Sequence, residues 1–167
     1  MAAATAERLD EHGLTLYEVS NAARPGSECR HNVGYWLGRE YLGLGPSAVS
    51  AIDGVRWRNV EDAVEYSARV LEKVPAVCYA ERLSGAERLL ERVMLGLRLR
   101  DGFHLAAAED ECGCTLAALA GETLTRAIAE GWLEGDGGWL RLSPVGYPVA
   151  NRILTELRVT RDNRGGL

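Results

Sequence analysis

A glycine-rich tetrapeptide between two tryptophan-led segments is the strongest constraint on the architecture of this chain. Trp132-Leu133-Glu134 and Trp139-Leu140-Arg141-Leu142 flank Gly135-Asp136-Gly137-Gly138. Tight turns that match the twist of paired strands need positive φ, which glycine supplies without steric cost, so the pattern predicts a β-hairpin. Helical patterns precede it. Ser84-Gly85-Ala86-Glu87 is a capping box that starts the clearest helix. Behind it Ala86, Leu89, Leu90, Val93, Met94 and Leu97 recur at helical spacing and form one apolar stripe. A second helix is expected near His104, and a third from about Thr115 to Glu130, ended by Gly131. After the hairpin, Ser143-Pro144 can open a last helix with Val149, Ile153, Leu154 and Leu157 on its inner face. Pro148 is tolerated only in a first turn, so the regular helix is expected to begin there. Helix, helix, helix, hairpin, helix is a winged-helix order over residues 84–157, mostly α, with residues 158–167 as a polar tail.

The first half reads differently. Ala2 to Glu11 holds strong helix formers, with Gly13 as a stop. Leu14-Thr15-Leu16-Tyr17-Glu18-Val19 alternates and is rich in β-formers, which predicts a strand. Helix, turn and strand make half of an α/β unit, yet the sequence supplies few parallel neighbours to cover it. Ser20 to Asp53 is punctuated by Pro25-Gly26, Gly34, Gly38, Gly43, Gly45 and Pro46 and reads as a long functional loop. Asn59 is expected to cap a helix from Val60 to about Lys73, and Val74-Pro75-Ala76 reads as a linker. The division is therefore residues 1–58, a connecting helix and linker over 59–83, the winged-helix-like part over 84–157, and the tail.

Charge and cysteine usage narrow the function classes. The formal net charge is −5. Residues 101–142, where a recognition helix and wing would lie, carry eight acids against two bases. Such a surface repels phosphates, so no nucleic-acid partner is expected. The four cysteines lack a disulfide framework, the N-terminus lacks a signal-peptide pattern, and no apolar run approaches the ~20 residues of a membrane span. A cytoplasmic protein is expected.

Tyr17-Glu18-Val19-Ser20-Asn21-Ala22-Ala23-Arg24-Pro25-Gly26-Ser27-Glu28-Cys29-Arg30-His31-Asn32-Val33-Gly34-Tyr35-Trp36 resembles a block of the radical S-adenosylmethionine (SAM) family that comprises HemW-type heme chaperones and proteins like oxygen-independent coproporphyrinogen III oxidase. Tyr41-Leu42-Gly43-Leu44-Gly45-Pro46-Ser47-Ala48, Arg56-Trp57-Arg58-Asn59, Gly96-Leu97-Arg98 and the winged-helix-like part match the same family in order. The resemblance is to the C-terminal part of that family. It implies the end of a radical-SAM β/α barrel, an α/β remnant, followed by the family's C-terminal domain. The family's Cys-x3-Cys-x2-Cys motif, which holds a 4Fe–4S cluster, has no counterpart in Cys29, Cys78, Cys112 and Cys114. The chain alone is therefore not expected to carry out radical SAM chemistry, and no catalytic residue is assigned.

What the resemblance implies for a site is a heme or other tetrapyrrole held through His-Asn-x-x-Tyr-Trp. His31 would ligate the heme iron through a neutral imidazole nitrogen, Asn32 would orient the imidazole, and Tyr35 and Trp36 would stack on the macrocycle. Arg30, Arg39, Arg56 and Arg58 would meet the propionates. Gly43, Gly45 and Val49 would lie near the adenine of SAM. The bland alternatives are a loop-capping His-Asn pair, core aromatics and a turn needing positive φ. Val49 stands where the chaperone branch usually has His, which leans toward the oxidase branch. Cys112-Gly-Cys114 is too closely spaced for a zinc half-site, and His12 and His104 read as surface or capping residues. Three functions are carried: a fragment of a heme chaperone, the C-terminal half of a coproporphyrinogen oxidase, and an acidic interaction module without cofactor. Association with a missing radical-SAM half, or with itself, is expected.

Overall fold

The structure, a computed structural model, describes residues 2–162. It divides into two units, one of residues 1–38 with 85–167 and one of residues 39–84. In the first unit α1 (Ala2–Asp10) is followed by a turn to Gly13, which takes φ +69°. The predicted six-residue strand shrinks to β1 (Thr15–Leu16), paired antiparallel with β2 (Ala22–Ala23). The chain turns back too soon for a longer strand, because Tyr17 N donates to Asn21 O at 3.1 Å. Every strand pair among the described residues is antiparallel. The loop expected over residues 20–53 is also interrupted, by α2 (Arg30–Trp36).

The core of this unit is built by the periodic helices. It starts with α4 (Gly85–Gly96), numbered after α3 of the other unit (Ala63–Leu71). Leu89, Val93 and Leu97 from the α4 stripe are wholly buried against Leu116, Ile153 and Leu157. Each such side chain contributes about 1.5–3 kcal/mol by leaving water. Gly96 is required because a Cβ there would lie 2.3 Å from Phe103 Cδ1. α5 (Leu105–Cys112) is capped by His104, whose Nδ1 accepts from Ala107 N at 3.1 Å. α6 (Leu116–Ala129) is capped by Thr115 and leaves helical geometry at Ala120. The hairpin is β7 (Leu133–Asp136) and β8 (Trp139–Leu142), with Gly137 and Gly138 both at positive φ. β6 (Phe103–His104) joins β8 from its other side. Tyr147–Val149 is a single 3-10 turn containing Pro148, and α7 (Ala150–Asp162) follows. That helix runs into the stretch read as a tail; residues 163–167 lie outside the described residues.

The second unit is a three-stranded antiparallel sheet in the order β3 (Val49–Ile52), β4 (Val55–Asn59), β5 (Val77–Arg82), with α3 between the last two strands. Two expectations are corrected here. Asn59 ends a strand rather than capping a helix, since its backbone pairs with Val77 in the sheet. Asp62 is the cap, accepting from Glu65 N at 2.8 Å, and α3 starts at Ala63. The linker after Pro75 leads directly into β5, whose pairing partners lie about twenty residues earlier in sequence and leave no local signature.

Candidate functional site

Little in the local sequence of α2 makes it a helix. Cys29 at its N-cap makes no side-chain hydrogen bond, Gly34 interrupts it, and it buries no residue fully. A helix of seven residues in that condition depends on tertiary contacts. Three are visible. Asn32 Nδ2 donates to Tyr17 Oη at 3.2 Å. The Arg98 guanidinium lies over the Trp36 ring at 5.3 Å. Leu37 packs on the core, and Gly38 leaves room for Arg92, which donates to the Gly38 carbonyl at 3.4 Å.

These contacts sort the four motif residues into two pairs. His31 and Tyr35, one turn apart, are both exposed, and their rings meet edge to face at 4.8 Å. Asn32 and Trp36 face the body of the unit. The Asn32 amide is spent on Tyr17, and Trp36 Nε1 is buried with no hydrogen-bond partner. An outward imidazole beside an aromatic edge can meet a flat ligand; an indole lodged under Arg98 is turned away from that side.

The segment that anchors Asn32 contains the residue that sequence reasoning did not single out as a site. Glu18 is fully buried, with Oε1 accepting from Ser20 N at 2.9 Å and Ser20 Oγ at 3.1 Å, while Oε2 has no partner. Its backbone bridges Leu99, and Arg100 N donates to Tyr17 O at 3.0 Å. The signal was present in the alternation of the predicted strand: Glu18 has the parity of Leu14 and Leu16, the half-buried positions, although the strand itself ends at Leu16. Close by, Arg100 stacks over the Tyr147 ring at 4.4 Å, and burial raises the Tyr147 phenol above its ordinary range.

Gly43, Gly45 and Val49 belong to the other unit. Gly43 is fixed by close approach, since a Cβ would lie 2.2 Å from the Val49 carbonyl oxygen. Gly45 is the one that needs positive φ, at +104°. Gly43 N donates to Ser50 Oγ at 2.9 Å, and Gly45 N to Tyr66 Oη at 3.0 Å. Val49 sits on a sheet face with Arg56, Arg58, Tyr79 and Glu81, and these residues with Trp57 line a cleft of about 400 Å³. Both arginines already have carboxylate partners: Arg56 Nε donates to Glu81 at 2.8 Å, and Arg58 pairs with Glu61 at 3.0 Å. Arg30 and Arg39 are exposed.

Cys29 and Cys78 are exposed, whereas Cys112 and Cys114 pack against the core. Among the described residues no three His, Cys, Asp or Glu side chains are grouped to hold a metal ion. The donors present do not fit a 4Fe–4S cluster, and no chemistry is assigned through one. No helix among the described residues is long and apolar enough to cross a membrane.

Residues 83–149 match the HemN C-terminal domain family. The chain is 36% identical over 150 residues to the heme chaperone HemW of Mycobacterium tuberculosis, covering 90% of this chain and 36% of that protein. It is 32% identical over 146 residues to the heme chaperone HemW of Lactococcus lactis, covering 87% of this chain and 38% of that protein. In fold it matches the coproporphyrinogen III oxidase HemN from Escherichia coli, a radical SAM enzyme, with a TM-score of 0.70, 18% identity, and coverage of 93% of this chain and 39% of that one. The chain belongs with the C-terminal part of the HemW-type, coproporphyrinogen III oxidase-like radical SAM proteins. It spans little more than a third of the length of those HemW relatives.

Proposed function

We propose that this chain contributes tetrapyrrole binding to a heme chaperone, with heme as cargo, and does no radical chemistry on its own. The observation that carries the reading is the outward pair on α2. His31 is exposed and seated edge-on to Tyr35, which leaves an imidazole nitrogen accessible to a metal centre. The residues fit an iron-bound macrocycle: the imidazole would hold the metal, Tyr35 would flank the ring, and exposed Arg30 would meet a carboxylate. Asn32 and Trp36 serve this reading as anchors of α2 rather than as ligand contacts.

Residues 1–58 would then be the end of a radical-SAM barrel, residues 59–83 a connector, and residues 84–157 a winged-helix-like domain. The helix–hairpin–helix order supports the last assignment. Its acids argue for a protein-facing or cover role rather than nucleic-acid binding. Gly43, Gly45 and Val49 would approach SAM only when the family's cluster-bearing half is supplied in the cytoplasm, by association with that half. A second reading, the C-terminal half of a coproporphyrinogen oxidase, is favoured by Val49, which stands where the chaperones usually have His. A third, an acidic interaction module with no cofactor, predicts no spectral change at all.

Titration of the purified chain with hemin, followed by its Soret band, tests the proposal beside His31→Ala. Saturable binding lost in the variant is the expected result. Binding indifferent to His31 would overturn the ligand assignment, and no binding would mean that these residues alone do not hold the tetrapyrrole.

A further inference from the structure

We infer that Tyr17 is a positioning residue for α2: its hydroxyl, through Asn32, sets where the His31 imidazole is held. This rests in part on the tetrapyrrole reading of α2, but its geometric content does not. The helix has neither a side-chain cap nor a fully buried residue to fix it, so its orientation comes from the contacts on its inner side. Asn32 makes a polar contact there that reaches fifteen residues back along the chain. It lies on the turn adjoining His31 and donates its amide to the phenolic oxygen of Tyr17.

Tyr17 is itself immobilised. Its amide donates to Asn21 O at 3.1 Å, and its carbonyl accepts from Arg100 N at 3.0 Å. The neighbouring Glu18 bridges Leu99 and closes the turn through Ser20 with a fully buried carboxylate. The segment after α4 is thereby sewn to residues 17–20, and Tyr17 passes that rigidity to α2 through one hydroxyl. The opposite contact, Arg98 over Trp36, restrains the far end of the helix but not the turn that carries His31.

The test uses Tyr17→Phe, which keeps the ring and removes the hydroxyl, beside Asn32→Leu and the double variant, in the full chain. Amide hydrogen exchange over residues 30–36 is read without any ligand, and hemin affinity and band position are read with it. Exchange in α2 is expected to quicken about three- to tenfold in each single variant, the cost of one hydrogen bond. The double variant is expected to be no worse than either single. Hemin binding should weaken by a similar factor, with the histidine-ligated band broadened or shifted. Unchanged exchange in folded Tyr17→Phe would overturn the positioning role. If exchange quickens while hemin binding ignores His31, the brace stands and the tetrapyrrole reading falls. If Tyr17→Phe loses its cooperative melt, Asn32→Leu carries the same comparison from the other partner, and unchanged exchange there overturns the inference.

Discussion

Asn59, at the end of β4, donates its side-chain amide to the carbonyl of Gly45 at 2.9 Å and so ties the sheet to the Gly43–Gly45 turn. Asn59 is 7% exposed. Truncation leaves the Gly45 carbonyl without this partner. Asn59→Ala is therefore expected to lower stability by about 1–3 kcal/mol, the range for abandoning a buried hydrogen-bonding group. Urea denaturation measures the loss, and faster amide exchange at Gly45 should locate it in residues 39–84. Unchanged exchange at Gly45 would mean that the bond from its amide to Tyr66 Oη does not depend on Asn59.

The two glycines of that turn should respond to substitution for different reasons. Gly43→Ala drives a methyl group to 2.2 Å from backbone at Val49, which a side-chain rotation cannot relieve. Gly45→Ala meets no atom within 4 Å but must hold φ +104°. The first is expected to cost about 1–3 kcal/mol, as overpacking does, and to disturb β3 pairing. The second is expected to cost about 1 kcal/mol through backbone strain, with the β3 ladder intact. Chemical-shift changes along residues 49–52 separate the two outcomes.

Thiol reactivity should divide the four cysteines. Burial raises the Cys112 thiol above its ordinary range, and Arg88 and Arg92 offset this only in part. A thiol that ionises late and packs on the core alkylates slowly. Cys29 is exposed and free, so it should react first with iodoacetamide at mildly alkaline pH, with Cys112 well behind. Peptide mass spectrometry of a time course gives the order. A Cys112 that reacts as fast as Cys29 would show that α5 opens readily.

Much of the second half was legible because its signals are local. The α4 stripe, the caps at His104 and Thr115, and the paired glycines at 137 and 138 act within a few residues of themselves. The Arg56–Asn59 segment carried no such signal. It is a strand only because β3 and β5 pair with it on either side, one of them from across α3. The helix at residues 30–36 was missed for the same reason, since Gly34 and the bare Cys29 cap argue against it and Tyr17 and Arg98 override them. At the candidate site the residue types were readable, but not their directions. Only packing reveals that Trp36 and Asn32 turn inward while His31 and Tyr35 turn out, and that Arg56 and Arg58 already have partners.

The packing of α7 on α6 should carry an acid-sensitive increment centred on Glu156. Arg152, one turn earlier on α7, donates from Nε to its carboxylate at 3.0 Å, and Arg126 of α6 reaches the other oxygen. The Arg152 hydrogen bond, with the charge of Arg126, holds the carboxyl below its usual range. A carboxyl depressed on folding adds stability that is fully present above its unfolded pKa and is lost as pH falls through the folded value. The increment should therefore be intact at neutral pH and decline below about pH 4.3, where an unfolded glutamate takes up its proton. Its size should be that of an exposed pair, about 0.2–1 kcal/mol. Glu156→Gln should lower the melting temperature at pH 7 and flatten the acid limb of the stability profile, so that the two proteins converge toward pH 3, roughly a unit below the unfolded pKa. Parallel profiles with a constant offset would assign the loss to packing rather than charge. Arg126→Gln separates the two arginines: an acid limb kept in that variant leaves Arg152 as the group that depresses the carboxyl, and an acid limb lost with it makes the contact between α6 and α7 the one that protonation breaks.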